Sequence, residues 1–467
     1  ARMQNEVRTA NDTLSALALV NRRIAEARGA AGQPNALLDE RDRLLADLNA
    51  VIKANATVAQ DGTLTVTSQR GEPLVIGSSA SRLVLTGDAL DPTKLSVSVL
   101  RTSGETLPLL PSEVGGSLAG LMRFATEDID VARGQLGRMT AAIAGTLNQR
   151  QSVGLDATGQ AGAPLLQLGA PVASAANTNT GSAGFAIQIT DPTALKPSDY
   201  ALSWDGSQYS LERLSDGTTQ TFATLPQTID GLDLSQTGGS PAAGDRFLLR
   251  TASAFANGTR ALQTDPARIA TALPVTAQRG ATNSGDVRAA ELDVQTIGPA
   301  TGAPVTITFT GPNTFDVSGP GTGNPSGITY TPGMTLSFNG WTMKLEGNAS
   351  SGDTMRVGAT PNPSADNRNA RAMQALGDAT IVDGERVIDR YAELIGDVGA
   401  RAQSAQASAS MSSRLYDDAE RARQEMSGVN LDEEAARLLQ YQQAYQAAAK
   451  VIATANEMFR SLLQAAG

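Results

Sequence analysis

The stretch SGVNLDEEAARLLQYQQAYQAAAKVIATANEMFRSLL, residues 427–463, places Leu438, Tyr441, Tyr445, Ala448, Ile452, Ala455, Phe459 and Leu462 at alternating intervals of three and four. With 3.6 residues per turn, that rhythm gathers them on one face of a long helix. Asn430 stands where an N-cap belongs, with Glu433 three residues on as in a capping box. Asp432 and Glu434 add negative charge at the positive end of the helix dipole. Each Leu or Phe buried from such a face contributes about 1.5–3 kcal/mol, so the helix needs a partner.

Outward from this stretch the same rhythm recurs. Ile381, Ile388, Tyr391, Ile395, Val398, Ala402, Ala405 and Ala409 mark a second helix. Leu118, Met122, Ala125, Ile129, Ala132, Leu136, Met139, Ile143 and Leu147 mark a third, with Ile129, Leu136 and Ile143 expected in a bundle seam. Near the start, Val7, Ala10, Leu14, Leu17, Asn21 and Ile24 share one face. Asn21 reads as a solvated gap near the helix end, with a register-fixing polar seam residue as the alternative. After the break GAAGQP, the run NALLDERDRLLADLNAVI resumes through Leu37, Leu44, Leu48 and Val51, making an antiparallel helix pair whose seam holds Leu14, Leu17, Leu44 and Leu48.

Between the helices the period changes to two. Asp61-Gly62, Asp205-Gly206, Asp216-Gly217 and Asn339-Gly340 separate short alternating runs, as two-residue hairpin turns with positive φ at both positions do. YALSW, SQYSLERLS and TTQTF form a meander with Tyr200, Leu202, Trp204, Tyr209 and Leu211 on one face. DGLDLSQTGGSPAAGDRFLL near 230–249 aligns with NGWTMKLEGNASSGDTMRV near 339–357, so a β module is duplicated at a spacing of about 108 residues. The expected fold class is α+β multidomain: a long helical bundle or coiled-coil domain from both chain ends (1–53, 112–165, 364–467) with inserted antiparallel β domains. These are a small subdomain at 54–111 and modules at 170–262 and 285–362.

Composition narrows the chemistry. The 467 residues include no Cys and no His, which removes thiolate nucleophiles, imidazole bases and the commonest metal ligand. A net charge of −10 without a long basic run offers no phosphate-binding surface, so nucleic acid is not an expected partner. No stretch has the roughly 18 apolar residues of a membrane span, and no membrane insertion is expected. Asp128 with Asp130, and Asp230 with Asp233, read as surface acids, because neither pair lies in a spaced calcium loop. No phosphate loop or nucleophile elbow is present. Trp204 and Trp341 read as core residues beside turns. No catalytic residue, cofactor or metal ligand is assigned, and the chain is not read as an enzyme.

The combination of VNLDEE with YQQAYQAAAKVI at 429–452 resembles the C-terminal signature of the flagellar axial proteins, in the version typical of the hook-associated protein 1 family. NALLDERDRLLADLNAVI is similar to that family's paired N-terminal helices, at Leu37, Leu38, Asp39, Arg41, Asp42, Leu44, Leu45, Leu48 and Asn49. GLDATG at 154–159, GDRFLLR at 244–250 and Asp366-Asn367-Arg368-Asn369 are weaker companions in the same order. The second β module departs from shorter members, and the family's terminal segments that line the axial tube are not expected in this sequence, so the chain alone should assemble poorly.

The resemblance implies a secreted structural adaptor at the hook–filament junction of the bacterial flagellum. It implies contacts with copies of itself in a ring, with the hook protein, with the second junction protein and with a cytoplasmic export chaperone. The residues implied for subunit or chaperone contact are Asn430, Leu438, Tyr441, Tyr445, Ile452 and Phe459. A surface-binding protein with its β modules on a helical stalk, or another axial protein such as hook or rod, stays open at this point.

Overall fold

A computed structural model describes residues 1–27, 35–101, 103–319, 321, 323–427 and 431–465. The fold is α+β and multidomain, in two units, residues 1–394 and 395–467.

The first unit opens with α1 (Arg2–Ala27) and α2 (Asn35–Val51). It continues through β1 (Ala54–Val58), β2 (Leu64–Ser68), β3 (Pro73–Ile76), β4 (Ser79–Ala80), β5 (Arg82–Gly87), β6 (Leu95–Leu100) and β7 (Thr106–Pro108), then α3 (Pro111–Val114) and α4 (Gly116–Arg123). β1–β4 and β5–β7 form two antiparallel sheets in sequence order. Residues 54–111 were expected as a separate subdomain, but Leu14 and Leu17 of α1, Leu48 of α2 and Leu118 of α4 share one core with Val66, Val75, Leu83, Val97 and Val99. Sheets this small cannot bury an apolar face alone, and the helices cover it.

Asn21 is not a solvated gap. It is fully buried; its Nδ2 donates to the Leu64 and Gly77 carbonyls at 2.7 and 2.9 Å, and its Oδ1 accepts from Leu64 N at 2.8 Å. Asn11 holds Leu83 in the same two-way manner, at 2.8 and 2.7 Å. Both asparagines satisfy backbone groups of the sheets, Leu64 and Leu83 in strands and Gly77 in the turn after β3.

α4 runs through a π-helical turn, Phe124–Ile129, into α5 (Asp130–Ser152). This turn corrects the expected seam. A π turn inserts a residue and rotates the side chains that follow, so an unbroken three-four count across it does not track one face. Ile129, Leu136 and Ile143 are exposed, whereas α5 buries Gly134, Gly137, Met139, Ala141, Ala142 and Ala144.

After β8 (Leu166–Gln167), module 1 comprises β9 (Val172–Ala175), β10 (Gly184–Ile189), β11 (Tyr200–Trp204), β12 (Tyr209–Arg213), β13 (Thr219–Phe222), β14 (Gln227–Ile229), β15 (Leu232–Gly238) and β16 (Arg246–Arg250). α6 (Ala252–Gly258) and β17 (Arg260–Ala261) follow, the latter pairing with β8. Module 2 comprises β18 (Val275–Arg279), β19 (Arg288–Val294), β20 (Val305–Gly311), β21 (Thr314–Ser318), β22 (Ile328–Thr329), β23 (Thr335–Phe338), β24 (Trp341–Glu346) and β25 (Thr354–Ala359).

The larger sheets run β13-β12-β11-β16-β9 and β22-β21-β20-β25-β18, and the smaller ones β10-β15-β14 and β19-β24-β23. Strand for strand the order is identical, which establishes the duplication. Module 2 starts earlier than the expected residue 285, because β18 pairs with β25 from Val275↔Ala359 to Arg279↔Met355. With Val275 as its one strongly apolar inward residue, β18 shows little alternation to read. Tyr200, Leu202, Tyr209 and Leu211 line the core of module 1 with Trp204 at its margin, and Trp341 is buried in module 2.

The four expected turns all join strands, but only Asn339 has positive φ before its glycine; Asp61, Asp205 and Asp216 instead accept from Thr63 N, Ser207 N and Thr218 N two residues on.

Module 1 is seated on α5 and on the turn before β6. A Cβ at Gly137 would lie 1.8 Å from the Ala252 carbonyl oxygen, so only glycine allows this approach. Leu90 packs with Ala176, Ala201 and Leu248, while Arg250 pairs with Asp91. Past module 2, α7 (Arg368–Ala375) leads to Ile381, Val382 and Leu394, which pack on Met139 and Ala142 of α5; Ile381 precedes the helix in which it was expected.

Candidate assembly interface

α8 (Val387–Ser427) continues into the second unit, which also holds α9 (Leu431–Ala465). α9 covers the run whose rhythm marked it, and that run is rich in Ala, Leu and Gln with no interior Gly or Pro, which favours helix. Among the described residues, none covers its seam. Leu438, Tyr441, Tyr445, Ile452 and Phe459 are all exposed, Tyr445 at 78% and Ile452 at 62%. Asn430 lies outside the described residues. Leu439, Val451, Met458 and Leu463 widen the band on α9, and Met411, Leu415 and Tyr416 are exposed on α8. The sequence reading passed over these because it followed one strict seam, whereas packing on more than one neighbour takes a broader face.

Polar side chains on these helices pair locally. Arg421 meets Asp418 at 2.6 Å and Arg423 meets Glu420 at 2.9 Å, one turn apart. The Arg423 hydrogen bond holds the Glu420 carboxyl below its usual range. Exposed pairs of this kind add little stability and leave the apolar band free for a partner.

The N-terminal seam residues behave differently. Leu14, Leu17 and Leu48 are buried and Leu44 is half-buried, so they serve the chain's own core. Ile129 at the end of the π turn and Leu136 and Ile143 on α5 are exposed at intervals of seven, with Phe124 exposed at the start of that turn. These are apolar rows suited to helix packing, without a nucleophile or base among them. Among the described residues no group of three acidic side chains is gathered for a metal, and no helix is long and apolar enough to cross a membrane. Asp230, read as a surface acid, is instead largely buried in module 1, where it accepts from Tyr200 Oη at 2.8 Å and pairs with Arg213 at 2.8 Å.

Residues 1–166 match the model of the flagellar hook-associated protein FlgK helical domain, and residues 173–251 that of the flagellar hook-associated protein 1 D2-like domain. Residues 421–465 match the flagellar basal body rod FlgEFG protein C-terminal model. Flagellar hook-associated protein 1 of Escherichia coli K12 is 27% identical over 464 residues, covering 98% of this chain and 68% of that protein. That of Salmonella typhimurium LT2 is 27% identical over 441 residues, covering 93% and 65%. The chain thus spans about two thirds of the length of these relatives. The flagellar hook junction protein FlgK of Burkholderia pseudomallei superposes with a TM-score of 0.81 at 27% identity, over 91% of this chain and 83% of that structure. The hook-associated protein matches over residues 1–166 and 173–251, the relatives aligned over more than nine tenths of the chain and the shared three-dimensional structure show that the chain belongs to the flagellar hook-associated protein 1 family.

Proposed function

We infer that this chain is a structural adaptor of the bacterial flagellum that joins hook to filament, assembled by helix packing between subunits after export. The observation that carries this reading is the apolar band of α9, with Leu438, Tyr441, Tyr445, Ile452 and Phe459 exposed along one long helix. Exposed apolar surface on this scale marks an interaction site. Ring formation with copies of the same chain, seating on the hook protein and docking of the second junction protein would use this band and the Ile129, Leu136 and Ile143 row. Before export, a cytoplasmic chaperone would cover the α9 band by the helix-in-groove mode. Replacing Tyr445 and Ile452 by Asp should abolish chaperone binding measured by calorimetry; unchanged affinity would remove that placement.

Electron microscopy of cells lacking the gene, with an assay of flagellin in the medium, tests the adaptor role. Hooks without filaments and flagellin lost to the medium are expected. Missing hooks would place the protein in hook or rod, and normal filaments would refute the junction reading.

A further inference from the structure

Two motifs singled out in the sequence lie on no apolar helix face: GLDATG at 154–159 and Asp366-Asn367-Arg368-Asn369. They meet at the C-terminal end of α5, where the chain enters module 2 through residues 268–274 and leaves it through 360–369. Gln151 is fully buried; its Oε1 accepts from Ala270 N at 3.0 Å and its Nε2 donates to the Arg268 carbonyl at 2.9 Å. Asn369, equally buried, donates to the Ala270 and Arg150 carbonyls at 2.6 and 3.2 Å. Leu155 and Ala272 exchange two backbone hydrogen bonds at 2.9 and 3.1 Å. Buried Asp156 pairs with Arg268 at 3.0 Å.

The two crossing segments are also tied to each other. Thr360 Oγ1 donates to the Leu273 carbonyl at 2.6 Å, Arg368 donates to the Val275 carbonyl at 2.9 Å, and Asp366 accepts from Leu273 N at 3.2 Å. The knot has no slack. A Cβ at Gly154 would lie 2.2 Å from Asn369 Nδ2, and one at Gly162 would lie 2.2 Å from the Gln151 carbonyl oxygen. From the smaller sheet of module 2, Asp293 reaches Arg150 of α5 at 2.6 Å.

We propose that this knot is a rigid shoulder that fixes the direction of module 2 relative to α5, so that module 2 moves with the body of the first unit. Domains joined by linkers reorient by default. Here reorientation would strip hydrogen bonds from buried groups that water cannot reach, and such networks specify one geometry. Module 2 is therefore held at a set angle, and whatever it meets outside is met by positioning and not by a tethered search.

The absence of cysteine makes the test direct. Spin labels at Gln149→Cys on α5 and Thr335→Cys on module 2 report one distance by pulsed electron resonance. A single narrow distribution is expected in the otherwise unchanged protein. It should broaden in Asn369→Ala and further in Gln151→Ala/Asn369→Ala, while the fluorescence of Trp341 stays that of a buried indole. A broad distribution without either substitution would overturn the proposal, and this measurement needs no weakened variant to fold. An equally narrow distribution in the folded double variant would overturn it too.

Discussion

Asp245 and Asp353 hold the same post in two copies of one sandwich. Asp245 accepts from Thr180 N, Gly181 N and Ala242 N at 2.9, 3.0 and 2.8 Å, and Asp353 accepts from Ser284 N, Gly285 N and Ser350 N at 2.8, 3.1 and 2.8 Å. Beside them, Asn179 and Asn283 clamp the N–H and carbonyl of Arg246 and Thr354. Each carboxylate thus ties the turn before the second strand of its module to the turn before the last.

Replacing either aspartate by Asn leaves at least one of those N–H groups facing an amide that cannot accept from it. Asp245→Asn should lower the melting temperature of module 1, and Asp353→Asn that of module 2, by on the order of 5 °C. Single-tryptophan variants that retain Trp204 or Trp341 report the two modules separately. A loss confined to the mutated module is expected.

The same groups set an acid limit. Backbone N–H donors, from Ala242 first, hold Asp245 below the usual carboxylate range; for Asp353, burial pushes upward but the donors from Ser350, Ser284 and Gly285 outweigh it. Asp156 is held down at about 2, chiefly by the Thr158 hydroxyl. Because the folded values lie below the unfolded ones, these groups contribute their full stability above about pH 4 and lose it as pH falls through their lowered values, which for Asp156 is about 2. Melting temperatures followed from pH 6 to pH 2 should fall across that window. For module 2 the fall should be shallower in Asp353→Asn.

Asn21 shows where sequence and structure part. Its position in an apolar seam was legible, but the strand backbone that it satisfies is 43 residues away, and no local pattern announces it. The duplicated modules were legible because the Gly-Asp turn and its flanking alternation repeat along the chain. The buried face of α5 was not, because it is made of small residues, with Gly134 and Gly137 against the backbone of Pro197 and Ala252, while a hydrophobic count follows only large side chains. The exposed row from Leu438 to Phe459 on α9 was legible apart from its width, since it depends on helical periodicity alone, while Asn430 lies outside the described residues. Substituting Asn21 by Ala should cost about 1–3 kcal/mol in urea unfolding, because Leu64 and Gly77 would lose their partners inside the core.

Gly137 gives a sharper test of the seat of module 1. Gly137→Ala forces a methyl group against the Ala252 carbonyl, where backbone must move, and a cost of about 1–3 kcal/mol or more is expected. Gly120→Ala, on the exposed side of α4 with no atom within 4 Å of the new methyl, should instead stabilise by about 0.4–1 kcal/mol. Urea midpoints of the two variants should therefore move in opposite directions.

Leu48 and Leu136 share a residue type and a helical rhythm but differ in what they meet. Leu48 is fully buried among α1, α4 and the first sheets, so Leu48→Ala should destabilise the isolated chain by about 2–5 kcal/mol. Leu136 is 41% exposed, and Leu136→Ala should change stability by no more than about 0.5 kcal/mol. If the α5 row serves subunit packing, Leu136→Asp should leave the urea midpoint of the single chain nearly unchanged while reducing filament-bearing cells in a motility complementation assay. Full complementation by Leu136→Asp would show that this row faces solvent in the assembled structure too, and would confine subunit packing to the α8 and α9 bands.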